Sequence, residues 1–269
     1  MPTALLDDEL WRRVEPLLPI RRRRFYHPGR KRLDDRCTLS GILFVLRTGI
    51  AWQQLPQELG YGSGMTCWRR LKEWQQAGVF QALHERLLAQ LRSDGRLDLS
   101  RAVCDSASLR ALFGGEKTGP SPVDRRKLGS KHHLITDANG IPLACLLTGA
   151  NAHDVTQLLP LVEAIPAIRG VVGRPRRRPT VLLADRGYDS QAHRQALRTL
   201  GIRPLIARRK TAHGSGLGSQ RWVVERTLSW LHQHRRLRIR YERHAEIHEA
   251  FLSLACSLIC LRQLRSSFC

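Results

Sequence analysis

The spacing of apolar positions changes near residue 93, and the chain divides there. Upstream, Leu39, Ile42, Leu43 and Leu46 recur at three- and four-residue intervals and stop at Gly49, which predicts an amphipathic helix. The stretch YGSGMTCWRRLKEWQQAG offers Ser63 or Thr66 as an N-cap, a row of Trp68, Leu71 and Gln75, and a closing Gly78. WRRVEPLLP predicts a shorter helix ended by proline. Downstream the apolar runs shorten and are bounded by Gly, Pro and Asp. RAVCDS, KHHLITDANG, IPLACLLTG, PTVLLADRG and IRPLIA predict strands, whereas DVTQLLPLVEAI, DSQAHRQALRTLG, SQRWVVERTLSWLHQH and HEAFLSLACSLICLRQL predict helices.

The order is three strands, helix, strand, helix, strand, helix, helix. Asn139-Gly140 predicts an antiparallel hairpin between the second and third strands, and the later helices suit crossovers to parallel partners. The expected architecture is α/β: an all-helical unit over residues 1–92, with a helix-turn-helix character, and a mixed sheet with flanking helices over residues 93–269.

Charge narrows the partner. Lys and Arg number 45 against 23 acids, a formal net charge of +22, and that excess points to a polyanion. The tract RRRRFYHPGRKR places Arg21, Arg22, Arg23 and Arg24 outside the core as candidate DNA contacts, and Arg69, Arg70 and Lys72 on the predicted second helix could meet phosphates or bases. A plain helical bundle with basic outer faces fits the same periodicity. The first residues carry Asp7, Asp8 and Glu9 where a signal peptide would be apolar, and AFLSLACSLICL is too short to span a bilayer, so a soluble cytoplasmic protein without membrane contact is expected. The seven cysteines form no CxxC pair and predict neither a disulfide framework nor a zinc knuckle. Cys256 with Cys260, and His244 with His248, share helix faces, which packing or solvent exposure explains more simply than metal binding.

Two apolar strands run into aspartate: Ala102-Val103-Cys104 into Asp105, and Val181-Leu182-Leu183-Ala184 into Asp185. Two ionised aspartates at one sheet rim repel each other and resist desolvation unless a cation sits between them. Glu225 lies in RWVVERTLSWL. At about 100° per residue it stands beside an apolar arc of Val224, Leu228, Leu231, Val223 and Trp230, with Arg221 and His232 near it. A helix packed by that arc could aim Glu225 at the sheet rim; an i,i+4 ion pair between Arg221 and Glu225 is the simpler alternative. Two aspartates and a glutamate could hold a pair of Mg²⁺ ions, with Mn²⁺ able to substitute, and such a pair serves in-line displacement at phosphorus.

The segments VCDSASLRA, GGEKTGPSPVDRRKLGSKHHLITDANGIPLA, TGANAHD, LLADRGYDS and RWVVERTLSWLHQHRRLRIRYERH closely resemble bacterial DDE transposases of insertion-sequence family five, in order and spacing across nearly the whole chain. LSGILFVLRTGIAWQQLP and SGMTCWRRLKEW resemble the helical domain that precedes the catalytic domain there. The resemblance implies a ribonuclease-H-like fold with Asp105, Asp185 and Glu225 as catalytic metal ligands. In the family's signature around the glutamate, Arg221 and Glu225 match, while Gly218 replaces a tyrosine and His232 a lysine.

The function so implied is binding of an insertion sequence's terminal inverted repeats, cleavage of phosphodiester bonds at its ends and joining of the 3′-OH to target DNA, by a homodimer on nucleoid DNA. Arg221 is the expected phosphate clamp. His232, Lys131 and His132 are further candidates for backbone contacts, although a solvated strand face also explains the last two. A hydrolysis-only nuclease of the same fold and a catalytically decayed DNA-binding regulator are the competing expectations.

Overall fold

A computed structural model describes residues 5–20, 25–27, 29, 31–209 and 218–266. The tract Arg21 to Arg24, expected to contact DNA, lies outside the described residues. Four helices come first: α1 (Asp8–Val14), α2 (Asp35–Thr48), α3 (Gly64–Gln76) and α4 (Val79–Ser93). Local signals set their ends. Asp34 caps α2 by accepting from the Arg36 and Cys37 amides, Gly49 ends it in the left-handed conformation, and Ser63 caps α3. The link from Gly49 to Ser63 passes through two 3-10 turns, longer than the roughly three or four residues of a helix-turn-helix connection. By contrast, α3 and α4 meet across Ala77-Gly78.

The sheet follows: β1 (Arg101–Arg110), β2 (Gly119–Pro120), β3 (Leu128–Asp137), β4 (Pro142–Gly149), α5 (Leu158–Glu163), β5 (Val181–Ala184), α6 (Gln191–Thr199) and β6 (Arg203–Ile206). Helices α7 (Gly218–Gln233), α8 (Arg235–Arg238) and α9 (Ala245–Arg265) complete the described fold. β1 lies at the centre, antiparallel to β3 and parallel to β5, which is parallel to β6. β4 and the two-residue β2 both pair with β3. This is the mixed ribonuclease-H-like order, with an antiparallel meander on one side of the central strand and parallel crossovers on the other.

The hairpin between β3 and β4 turns at Asn139-Gly140, where Gly140 has a φ of 86°. Asp137 shapes that turn: its Oδ1 accepts from the amides of Asn139 and Ile141, and its Oδ2 from Asp98.

One continuous apolar core runs from Leu6 on the N-terminal side to Leu261 on α9. Helix α4 buries Phe80, Leu83, Leu87, Leu88 and Leu91 and packs along α9. His84 donates from Nε2 to the Pro142 carbonyl at 2.9 Å, tying α4 to the start of β4. The N-terminal helices therefore brace the sheet through shared packing.

Helix α9 is 21 residues long and apolar enough to cross a membrane by length and composition. It extends beyond the apolar stretch read from the sequence, and 67% of its most apolar window is buried inside the protein. Its Cys256 and Cys260 are core residues, and among the described residues no group of three His, Cys, Asp or Glu side chains is placed to hold a metal ion.

Candidate active site

The centre of the site follows from strand register. β1 and β5 pair through Val103 and Leu183, and two residues further on each strand reaches its aspartate, Asp105 and Asp185. Adjacent strands lie about 4.8 Å apart, so the two backbones deliver their carboxylates side by side. Asp105 is not the last residue of its strand: β1 continues to Arg110 paired to β3, while its partner β5 has already ended at Ala184. The β5 edge of β1 is open from Asp105 to Leu109 and is taken up at Arg110 by Arg240, whose amide donates to the Arg110 carbonyl. Asp185 turns into a 3-10 turn and accepts from the Gly187 amide at 2.8 Å.

Helix α7 lies across β1 and β3, and Val223, Val224, Leu228 and Leu231 are buried as the arc predicted, with Trp230 only partly covered. Thr227 donates from its hydroxyl to the Gly140 carbonyl at 2.6 Å, and Arg226 donates to Asn139 at 2.5 Å, which locks the helix to the hairpin. Arg226 also stacks between Trp222 and Trp230, with 4.5 and 4.6 Å to the ring centroids.

That docking places Arg221 beside Asp105, with Nη2 3.1 Å from Oδ2. The expected ion pair between Arg221 and Glu225 does not form; Glu225 is exposed and has no hydrogen bond or ion pair among the described residues. Asp105 and Glu225 line one cleft of about 700 Å³, together with Ser106, His232, Arg235 and Arg238.

The electrostatics show the acids crowding. Burial pushes the Asp105 carboxyl above its ordinary value, and the charges of Asp185 and Glu225 push the same way, against the Ser106 amide and Arg221. Next to them the buried Tyr188 hydroxyl has no hydrogen-bond partner among the described residues. Its pKa is raised by burial first, then by nearby Cys104, Asp154, Asp105 and Asp185. Carboxylates that push on one another and an orphaned hydroxyl both suit an occupant that brings positive charge and ordered water. The donors are hard carboxylate oxygens, the set that Mg²⁺ and Mn²⁺ prefer. As the side chains stand, no three of them among the described residues are close enough to ligate one ion, and Glu225 is exposed and unpaired.

Other candidates fall elsewhere. Lys131 is three-quarters or more buried and donates to Asp154 Oδ1 at 3.0 Å and to the Ala152 carbonyl at 2.9 Å. His132 points to the opposite side of β3, fully buried in the core, which corrects its reading as a surface contact to DNA. Arg70 is also buried, ion-paired with Asp35 and stacked near Trp74, so it presents nothing to a duplex. Lys72 pairs with Glu246 at 2.7 Å, and Arg69 remains exposed on α3.

Several site residues were not read from the sequence. Asp154 accepts from Ser106 Oγ at 2.9 Å as well as from Lys131, making a fourth carboxylate behind the first three. Arg235 and Arg238 add cations to the cleft wall. The only sequence signal for these was their place within TGANAHD and LHQHRRLRIR, segments already singled out.

Three acids, on the central strand, just past its parallel neighbour and on a following helix, are candidates for a DDE-type site. Residues 6–84 match the family described as transposase of the IS4/5 family, and residues 97–260 match the transposase DDE domain. The chain belongs to the DDE transposases. The IS4/5 grouping is broader than family five alone.

Among relatives, the chain is 66% identical over 153 residues to the transposase for insertion sequence element IS402 of Burkholderia cepacia, covering 57% of this chain and 72% of that protein. It is 54% identical over 123 residues to a 16.2 kDa protein of the same element, covering 45% of this chain and 84% of that protein. It is also 33% identical over 129 residues to the IS1106 transposase of Neisseria meningitidis serogroup B, covering 44% of this chain and 40% of that protein. The crystal structure of the Mos1 strand transfer complex aligns with 88% of this chain and 79% of that chain at 14% identity, with a TM-score of 0.28. A likeness that loose carries no weight, and the fold assignment rests on the strand order itself.

Proposed function

We propose that this transposase binds the terminal inverted repeats of its insertion sequence, hydrolyses phosphodiester bonds at the ends and transfers the 3′-OH to target DNA. The observation that carries this reading is the side-by-side delivery of Asp105 and Asp185 by adjacent parallel strands, with Glu225 lining the same cleft as Asp105. In this reading Asp105, Asp185 and Glu225 hold two Mg²⁺ ions, for which Mn²⁺ substitutes. When bound, such ions activate the attacking oxygen and stabilise the leaving one.

The chain's own residues supply the geometry. Arg221 neutralises Asp105 and, with its planar fork, is suited to pass to a phosphate oxygen when DNA enters. Arg235 and Arg238 on the cleft wall hold the backbone of the substrate, and His232 adds a further contact. Lys131 is assigned a supporting role through Asp154 rather than a DNA contact. Arg69 and the tract Arg21 to Arg24 contribute sequence-independent affinity, and recognition of the ends resides in the helices of residues 1–92.

Two ends must be joined, so the working unit is a homodimer on nucleoid DNA in the cytoplasm.

The test is a strand-transfer assay with duplexes carrying the element's ends, a target plasmid and Mg²⁺. Joined products are expected. Cut ends without joining would reduce the protein to a nuclease, and bound but uncut DNA would make it a regulator.

A further inference from the structure

Three histidines form a chain that runs from the core to the cleft. His248 on α9 and His132 on β3 are both fully buried, with their Nε2 atoms 2.8 Å apart. His132 Nδ1 in turn lies 3.4 Å from Nε2 of His232, which lines the cleft beside Asp105 and Glu225. The rings of His132 and His248 are stacked at 5.1 Å, and those of His132 and His232 are tilted at 5.5 Å.

All three rings favour the neutral form. Burial lowers each pKa, and Arg240 and Arg236 on His248, and Arg238 on His232, push further in the same direction. A neutral imidazole has one N–H and one lone pair. His132 therefore donates to one neighbour and accepts from the other, and the whole chain has only two directions.

If the protons point inward, His232 Nε2–H donates to His132 and His132 donates to His248. The His248 proton is then on Nδ1, and that atom is buried without a partner. If they point outward, His248 Nε2–H donates to His132, and His132 Nδ1–H donates to His232 Nε2. His248 Nδ1 is then a bare lone pair. A buried N–H without an acceptor is the rarer defect in folded proteins. The outward direction therefore wins.

We propose that His132 and His248 are positioning residues that hold His232 as its Nδ1–H tautomer, so that it presents an uncharged hydrogen-bond donor to a DNA phosphate oxygen in the cleft. The phosphate part of this assignment rests on the function proposed above; the tautomer part does not. It accounts for a histidine at a position where the resembled family carries lysine: the donor is kept and the charge is not.

Long-range ¹H–¹⁵N spectra of the full chain, without DNA and slightly above neutral pH, read the tautomer directly. His232 is expected to show the Nδ1–H pattern in the wild type and to move toward Nε2–H, which free imidazole favours, in His248→Leu. An Nε2–H or doubly protonated His232 in the wild type overturns the proposal without any variant being made. A His232 pattern unmoved in a folded His248→Leu protein removes His248 from it.

Binding of a short DNA duplex across a salt series tests the donor's charge. His232→Ala is expected to weaken affinity about fivefold with an unchanged slope of log K against log salt. His232→Lys is expected to steepen that slope by about one unit. A slope that flattens in His232→Ala means a charged His232 and contradicts the proposal. Loss of duplex binding by the wild type, with the Nδ1–H pattern intact, overturns the phosphate role and the DNA reading while the tautomer stands.

Discussion

Arg221 on α7 reaches Asp105 on β1 across 116 residues of sequence, with Nη2 3.1 Å from Oδ2. The contact joins the helix that carries Glu225 to the strand at the centre of the sheet, and it places a guanidinium on an acid whose carboxyl is pushed up by burial and by neighbouring acids. Arg221→Ala should lower strand cleavage by on the order of 10²-fold, the typical loss when one preorganised donor is removed. Arg221→Lys should recover only part of it, because an ammonium cannot bridge carboxylate and phosphate as a planar fork does. Single-turnover cleavage rates measure both, and a lysine variant as fast as wild type would remove the fork from the account.

Behind the site, Asp154 collects Lys131 and the Ser106 hydroxyl. Asp154→Asn leaves a largely buried ammonium opposite a neutral amide and should cost about 1–3 kcal/mol of stability. Urea denaturation of the two proteins gives the difference, and equal midpoints would show that the cluster is only a surface contact.

The strands and helix that carry Asp105, Asp185, Glu225 and Arg221 were legible in the sequence because buried strands and amphipathic helices have strong local patterns, and acids at the ends or margins of such patterns stand out as candidates. The alternation that marks β3 also misled: in Lys131-His132 adjacent residues face opposite sides of the sheet, so one borders the site and the other enters the core. Arg70 was misread for a similar reason, since basic residues on α3 look alike in sequence whether they face solvent, as Arg69 does, or Asp35. The partners of Asp154 and His248 became visible only through contacts between distant elements, which no local spacing encodes. The length of the link from α2 to α3 was not legible, because Gly49 marks where α2 stops but says nothing about the two 3-10 turns before α3.

Arg236 and Glu242 form an ion pair whose side chains are 4% and 7% exposed, and Arg236 also donates to the Gly49 and Ile50 carbonyls. The pair fastens α8 to the end of α2. Glu242→Ala strands a buried guanidinium and should destabilise the protein by about 3–5 kcal/mol. Glu9→Ala, which removes a half-exposed partner of Arg13 and Arg265, should cost less than about 1 kcal/mol. Thermal unfolding of the two variants side by side checks the contrast; similar losses would mean that burial is not what distinguishes them.

Histidine burial sets the acid limit. Burial lowers His248 to about 3 and His133 and His234 to about 4, from an ordinary 6.5, and lowers His84 and His132 as well. These rings are neutral in the fold but take up protons in the unfolded chain below pH 6.5. The unfolded state then binds more protons, so stability is full above pH 6.5 and falls as pH drops toward 4. Asp137, raised by burial to about 6, acts in the opposite direction between 6 and its ordinary 3.8, and so does the raised Asp105; with His232 also lowered, two acids stand against six histidines. The melting temperature should therefore decline steadily from pH 6.5 downward; a flat profile to pH 5 would contradict the neutral assignments.

Mn²⁺ binding followed by electron paramagnetic resonance bears most directly on the site, because it asks whether three acids from β1, the end of β5 and α7 act on one occupant without requiring DNA. The wild type should remove free Mn²⁺ from solution, and Asp105→Asn, Asp185→Asn and Glu225→Gln should each weaken that uptake by tenfold or more, about 1.4 kcal/mol, while remaining folded. Uptake by all three amide variants equal to wild type would place the metal elsewhere and leave the carboxylates without their assigned role.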